Sequence, residues 1–219
     1  GIKSFLKYIN RDTSVLHKEP IYIEGTSGDI EVEIAFQYTH NYSEQINPYC
    51  NRINVVDGGT LVTGFKMALT RVMNQYAREL GVLKDKDENL TGDDIQEGMI
   101  AVVSVKLKDA QFESQTKAKL GNTSMRTLVH QMLKEKLMDY LENNPVQART
   151  IVNKSMAASA AREAAQKARE ASRNRSTHII QFFQFLVLLL VQGHVRDGNH
   201  GDGGLVLGEG GGRLVIREL

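Results

Sequence analysis

The order of apolar and polar residues predicts a hairpin near the start of the chain. Between Ile30 and Tyr38 every second residue is a large apolar one, which is the spacing of a strand with one buried face. Residues 21–24 form a shorter apolar run, and the turn-forming residues 25–29 separate the two runs. The pattern therefore predicts two antiparallel strands in this part of the chain.

Three later segments carry helix signals. Residues 60–80 have apolar side chains at spacings of three and four, and Gly81 follows where a left-handed C-terminal cap belongs. A second amphipathic helix opens at Asn122 or Thr123. A third helix, predicted over residues 145–172, opens on a proline, which suits the first helical position.

A nearly continuous apolar run lies between the first two of these helices. Residues 99–107 are typical of a central strand that is buried on both faces. Thr91 or Asp94 is placed to cap a short turn before it. The mixed order of strands and helices around this strand indicates an α/β (α+β) domain.

The last part of the chain has a different composition. No lysine follows Lys167, and glycine is frequent after residue 192. The apolar run over residues 179–191 is shorter than the roughly 20 residues that a membrane-spanning helix needs. We therefore predict that residues 173–219 form an irregular tail, translated out of frame or disordered. A membrane-associated hairpin is the alternative.

Composition and charge exclude several classes of protein. The 219 residues include 27 Lys and Arg against 26 Asp and Glu, so only a local basic patch could bind nucleic acid. The one cysteine, Cys50, has no partner for a disulfide and suits a buried apolar position. The histidines do not have metal-ligand spacing within a helix, so no metal site is predicted. We find no catalytic constellation that is complete within this chain.

Two basic segments are candidate anion-binding sites. The polar stretch over residues 111–121 contains Gln115 and Lys117, whose side chains can donate hydrogen bonds to a phosphate. Lys66 and Arg71 on the first long helix could contact duplex phosphates. By composition alone, a solvated loop and a solvated helix face explain both segments.

A series of ordered motifs changes this interpretation. The motifs are Tyr42–Gln45, Asn51–Thr60, Gly64–Arg71, Leu90–Gly98, Ala101–Lys106, Gln111–Lys117 and Ala161–Ala165. In their order and spacing they resemble the transducer domain of bacterial DNA gyrase B. The related protein of topoisomerase IV is the second choice. The resemblance covers residues 1–172.

The resemblance implies a mixed α/β domain with a left-handed βαβ crossover, placed between an ATPase domain and a metal-binding domain. It implies that Gln115 and Lys117 reach into the neighbouring ATP site and contact the γ-phosphate. Lys66 and Arg71 would face the cavity that holds captured DNA. The Mg²⁺ that ATP hydrolysis uses would be bound by domains outside this chain.

We therefore predict a cytoplasmic fragment of an ATP-dependent type II DNA topoisomerase, which couples ATP hydrolysis to strand passage and supercoiling. Its partners would be DNA, gyrase A and a second copy of gyrase B, with no membrane involved. The isolated fragment would be inactive. The alternative is a non-catalytic DNA-binding or interaction module. A related ATPase of mismatch repair or of the chaperones is a weaker interpretation, against which the motif series argues.

Overall fold

A computed structural model describes residues 1–196 of the chain. Residues 1–164 form one compact unit, and a second unit begins at Ala165. The glycine-rich part of the predicted irregular tail, residues 197–219, lies outside the described residues. The elements in chain order are α1 (Ile2–Ile9), β1 (Ile21–Ser27), β2 (Ile30–Tyr38), β3 (Gln45–Cys50), β4 (Ile53–Asn54), α2 (Thr60–Glu79), α3 (Gly92–Gln96), β5 (Met99–Lys106), α4 (Thr123–Asn143) and α5 (Pro145–Arg196).

The five strands form one mixed sheet in the order β1-β2-β5-β3-β4. β1 and β2 are antiparallel and are joined by a turn in which Gly28 has a φ of 58°. The predicted hairpin is thus confirmed, with β1 extending to Ser27. β5 lies in the middle, antiparallel to β2 and parallel to β3. The central position that its apolar sequence predicted is also confirmed.

The parallel pair β3 and β5 is connected through α2, so the βαβ unit that the resemblance implied is present. α2 packs along α4. The two helices approach closely at Gly64, where an added Cβ would lie 2.5 Å from the carbonyl oxygen of Arg126. A residue without a side chain is therefore required at this crossing.

The sheet has apolar side chains on both faces. On one face they join α2, α4 and the start of α5 in a single core cluster, to which β2 contributes Val32, Ile34, Phe36 and Tyr38. On the other face α1 covers Ala35, Ile100 and Val102 with the buried Leu6. Because β5 contributes to both clusters, nearly all of its residues are buried.

α5 begins at Pro145 as predicted, and Ile151 and Val152 on its first turns are buried in the core. The predicted end near residue 172 is wrong, since the helix continues to Arg196. The sequence contains neither proline nor glycine from residue 146 to residue 192, so no helix-breaking residue interrupts the helix before Gly193. Residues 173–196 are therefore helical rather than irregular.

In the second unit the helix carries exposed apolar side chains. Six of them are more than two-fifths exposed: Ile179, Ile180, Phe182, Phe183, Phe185 and Val187. Within residues 1–196 no helix combines the length and the apolar character that crossing a bilayer requires.

Candidate functional site

The segment that carries Gln115 and Lys117 is the loop between β5 and α4. Both residues are exposed at the tip of the loop, and Leu120 at its far end is completely buried. The loop thus projects polar groups from an anchored base. We call residues 107–122 the QTK loop, after its Gln-Thr-Lys tip.

The two sides of the QTK loop form a short antiparallel ladder. The N–H of Gly121 donates to the carbonyl of Gln111 at 2.8 Å, and the N–H of Glu113 donates to the carbonyl of Lys119 at 3.1 Å. Between these two hydrogen bonds, Phe112 and Leu120 form a β-bridge. The tip is therefore held by regular backbone pairing.

The outgoing side of the loop is joined to the start of α2. Leu120 donates its N–H to the carbonyl of Gly58 and accepts from the N–H of Thr60, each at 3.1 Å. Gly59 pairs with Leu120 in a parallel bridge and has a φ of 98°. A Cβ on Gly59 would lie 2.1 Å from the Leu120 carbonyl oxygen, so only glycine permits this docking. The Asp-Gly-Gly-Thr motif thus attaches the QTK loop to α2.

The two lysines of the QTK loop differ in their ionic partners. Lys119 forms an ion pair of 3.0 Å with Glu113 across the ladder. Within residues 1–196 Lys117 has no carboxylate within 4 Å, and its ammonium lies 5.9 Å from the centre of the Phe112 ring. Lys117 also has a φ of 54°, in the left-handed region, and its N–H donates to the carbonyl of Ser114. The backbone therefore presents Lys117 in a specific and unusual conformation.

Lys66 and Arg71 lie about two and three turns further along α2. The structure brings both to one surface groove of about 650 Å³, which His130 and Asn89 also line. Lys66 is bound to Glu44 at 2.6 Å, whereas Arg71 is exposed. One of the two predicted DNA contacts is thus already neutralised by a carboxylate.

The sequence predicted Asn122 only as a possible start of α4 and gave no role to Asn74, yet both side chains bind backbone groups in these regions. Asn122 accepts from the N–H of Gln111 at 2.7 Å and donates to the carbonyl of Asp109 at 2.9 Å, but it makes no side-chain cap to α4. Asn74 in the groove accepts from the N–H of Leu90 and donates to its carbonyl. Such pairing depends on backbone groups that are distant in the sequence, so no local signal identifies it.

An ion pair next to the groove, between the exposed Arg162 and the buried Asp94, was also missed. Arg162 binds the carboxylate of Asp94 through two hydrogen bonds of 2.9 and 3.1 Å. Burial by itself would raise the pKa of Asp94, but the hydrogen bonds from Arg162 and Thr91 outweigh it and hold the pKa below its ordinary value. Thr91 and Asp94 also form a capping box for α3, which confirms the predicted cap.

The remaining candidate groups do not form a reactive site. Cys50 is buried as predicted, and burial raises its pKa to about 11, so its thiol stays protonated at neutral pH. Within residues 1–196 no three His, Cys, Asp or Glu side chains are grouped so that they could hold a metal ion.

A family model for DNA gyrase B matches residues 1–171, which is most of the chain. The chain belongs to the DNA gyrase B family. It is 51% identical over 177 residues to the DNA gyrase B protein of Clostridium acetobutylicum, a match that covers 80% of this chain and 28% of the relative. It is 46% identical to the DNA gyrase B protein of Bacillus mycoides, covering 80% of this chain and 44% of that protein. The chain thus spans less than half the length of these gyrase relatives.

Solved structures agree with the gyrase family. The 43K ATPase domain of Thermus thermophilus gyrase B, in complex with an aminocoumarin, matches with a TM-score of 0.72 and 45% identity, over 78% of this chain and 46% of that one. The topoisomerase IV ATP-binding domain of Francisella tularensis matches with a TM-score of 0.64 and 29% identity, over 74% and 43% of the two chains. The predicted mixed α/β fold of the gyrase B family is confirmed.

Proposed function

We propose that residues 1–172 are the transducer domain of an ATP-dependent type II DNA topoisomerase of the gyrase kind. In this proposal Lys117 and Gln115 contact the γ-phosphate of ATP that is bound by another domain of the whole protein. The proposal rests on one observation above all. Of the two lysines in the QTK loop, Lys119 is neutralised by Glu113, whereas Lys117 has no carboxylate within 4 Å among residues 1–196.

An unpaired ammonium group on an anchored loop suits a terminal phosphate for two reasons. First, Lys117 can bind an anion without first breaking an ion pair. Second, a cation fixed beside the transferring phosphoryl group stabilises its charge without reorganising during the reaction. The amide of Gln115, also exposed at the tip, would add a neutral donor.

The anchoring of the loop explains how nucleotide state would move the domain. Leu120 and Ala118 are hydrogen-bonded to residues 57–60, which lead directly into α2. When hydrolysis removes the γ-phosphate, Lys117 loses its anionic partner, and the loop and the start of α2 would shift together. This link would convert hydrolysis into movement that drives strand passage and supercoiling.

The test uses an intact gyrase B protein that carries this sequence, assayed together with gyrase A. We expect Lys117→Ala to lower ATP hydrolysis and supercoiling by about 100-fold or more, the cost of removing one fixed donor to a developing charge. Lys119→Ala is the matched control, since it removes a lysine two residues away that is paired with Glu113. We expect this control to keep its rates within about twofold of the parent. Equal losses in both variants, or parent rates in Lys117→Ala, would refute the proposal.

The proposal also includes the partners, the metal ion and the location of the whole enzyme. DNA, gyrase A and a second copy of gyrase B would be its partners, Mg²⁺ would be held by other domains, and the bacterial cytoplasm would be its location. By itself the 219-residue chain should neither hydrolyse ATP nor change DNA topology. ATP turnover by the purified chain that disappears in Lys117→Ala would contradict this.

The groove on α2 supports a second candidate, a duplex contact through Arg71 and Lys66. Both side chains line the same groove, and Arg71 is exposed. We expect Arg71→Ala to weaken duplex binding by the chain and to lower its salt dependence by about one phosphate contact. Lys7→Ala on α1 is the control of equal charge. Equal effects of the two variants would show that Arg71 contributes only nonspecific positive charge and makes no specific duplex contact.

A further inference from the structure

The geometry of the QTK loop points to Asn122 as a positioning residue. We propose that its amide holds the incoming side of the loop in register, so that Lys117 meets the terminal phosphate in a fixed position. This inference deepens the proposed function and rests on it. It concerns a residue that touches neither ATP nor Lys117.

The position of Asn122 in the fold is that of a helix cap, but its side chain does something else. It precedes the first residue of α4, where asparagine ordinarily accepts from an N–H of the first helical turn. No such bond forms here, and the amide turns back to the loop. There it accepts from the N–H of Gln111 and donates to the carbonyl of Asp109. The Asn122 side chain therefore forms two hydrogen bonds to the loop instead of capping α4.

The chemistry of these two bonds requires an amide. One partner is a donor and the other an acceptor, and both belong to the backbone. An aspartate could accept from Gln111, but it has no proton to donate to Asp109 at neutral pH. Alanine would satisfy neither partner. Asparagine therefore combines both functions in one short side chain.

The amide also acts on the incoming side of the loop, beyond its base at Leu107, where the Asn51 side chain binds the N–H and the carbonyl of Leu107. The outgoing side, residues 118–120, is hydrogen-bonded to residues 57–60. The incoming side is joined to the rest of the loop by the ladder, and Asn122 closes the end of that ladder. Without it, Asp109 and Gln111 would lose their side-chain link to the start of α4, and this end of the ladder could shift. The turn that carries Lys117 connects the two sides and would shift with them.

The first measurement is made on the chain itself. We expect amide hydrogen exchange of the Gln111 N–H to be at least about 10-fold faster in Asn122→Ala, because this N–H loses its acceptor. The N–H of Leu90, which is held by Asn74 in the groove, serves as an internal control and should not change. Unchanged exchange at Gln111 would overturn the proposal.

The second measurement uses the intact gyrase B protein together with gyrase A. We expect Asn122→Ala to lower kcat for ATP hydrolysis by about 10- to 100-fold, the effect of misplacing a catalytic group by about 1 Å, with KM changed by less than about threefold. Asn144→Ala is the matched control. It removes an asparagine at the opposite end of α4, where the amide bonds only to the carbonyl of Tyr140. Its kcat should stay within about twofold of the parent.

Two further variants separate positioning from a structural role. Asn122→Asp should be as slow as the alanine variant, although aspartate caps helices as well as asparagine does. In a Lys117→Ala background, Asn122→Ala should lower kcat by less than about twofold, because its effect passes through Lys117. Recovery in the aspartate variant, or a full additional loss in the double variant, would overturn the proposal. If Asn122→Ala keeps the parent kcat while Lys117→Ala is impaired, only the positioning role of Asn122 is overturned. If Lys117→Ala itself keeps the parent rates, the proposed function is refuted as well.

Discussion

The QTK loop and the groove on α2 are held in the same way but differ in the state of the lysine that each was predicted to present to a phosphate. In each region an asparagine amide, Asn122 or Asn74, bonds to backbone groups of a connecting segment. In the loop Lys117 at the tip lacks a carboxylate partner within the described residues, whereas in the groove Lys66 is bound to Glu44. Similar frameworks thus present one unpaired and one neutralised lysine.

This difference shows why basic residues alone do not identify an anion site. A surface ion pair is weak, but a phosphate that binds such a lysine must first displace its carboxylate. The lysine that is already unpaired binds an anion without this cost. For this reason Lys117 is a stronger candidate than Lys66. Three predictions test whether the loop and the groove behave as separate regions.

The largest effect on stability is expected at Gly59, where the loop docks on α2. Gly59→Ala would place a Cβ 2.1 Å from the Leu120 carbonyl at a φ of 98°. We expect the free energy of unfolding in urea to fall by about 3 kcal/mol. Gly81→Ala is the control, because Gly81 has a φ of 68° but nothing within 4 Å of the added Cβ. Its cost should be about 1 kcal/mol. Equal costs at the two sites would show that the loop is not tightly docked.

The second effect concerns the side of the groove formed by α3. Arg162→Gln leaves Asp94, whose side chain is only 2% exposed, without its charged partner. We expect the free energy of unfolding at pH 7 to fall, but by less than for a fully buried pair because the Arg162 side chain is 40% exposed.

The pH dependence provides a check on this ion pair. The native pKa of Asp94 lies below its ordinary value, so the pair stabilises the fold above about pH 4 and loses this effect as the pH falls through the native pKa. The difference between parent and Arg162→Gln should therefore shrink below about pH 4. Exchange of the Gln111 N–H should be the same in both proteins. A pH-independent difference would exclude the ion pair as its cause.

The smallest effect is expected from releasing Lys66. Glu44→Gln removes its partner, and we expect duplex affinity of the chain to rise about two- to fivefold at low salt and to converge with the parent at high salt. Glu19→Gln is the control, since it changes the net charge equally but frees Lys7 on α1. Equal gains in both variants would show that the groove has no specific part in binding.

Much of the fold could be predicted because its signals are local. The alternation in β2, the continuous apolar run of β5 and the three-and-four spacing of α2 each indicate their own element. The end of α5 could not be predicted from periodicity. The apolar residues after residue 172 lack a regular helical spacing, so the absence of helix-breaking residues was the better indicator.

In the candidate site, too, the residues with a local sequence signal could be predicted and the others could not. The motif series identified the family and named Gln115 and Lys117, because those residues are close together in the sequence. No local sequence signal indicated the hydrogen bonds of Asn122 to the loop or the ion pair between Asp94 and Arg162. Their partners are fixed by the packing of α4 and α5, which no short stretch of sequence encodes.

By itself, the sequence determined the hairpin, the central strand β5, the starts of the three long helices, the family and the place of Gln115 and Lys117 between β5 and α4. Only the tertiary structure decided which of the two loop lysines is unpaired, because the register of the ladder places Glu113 beside Lys119. It also decided that Gly59 docks the loop on α2 and that Asn122 holds the loop rather than capping α4. Hydrogen bonds and ion pairs depend on distances of a few ångströms between groups from different elements, and only the packed fold sets those distances.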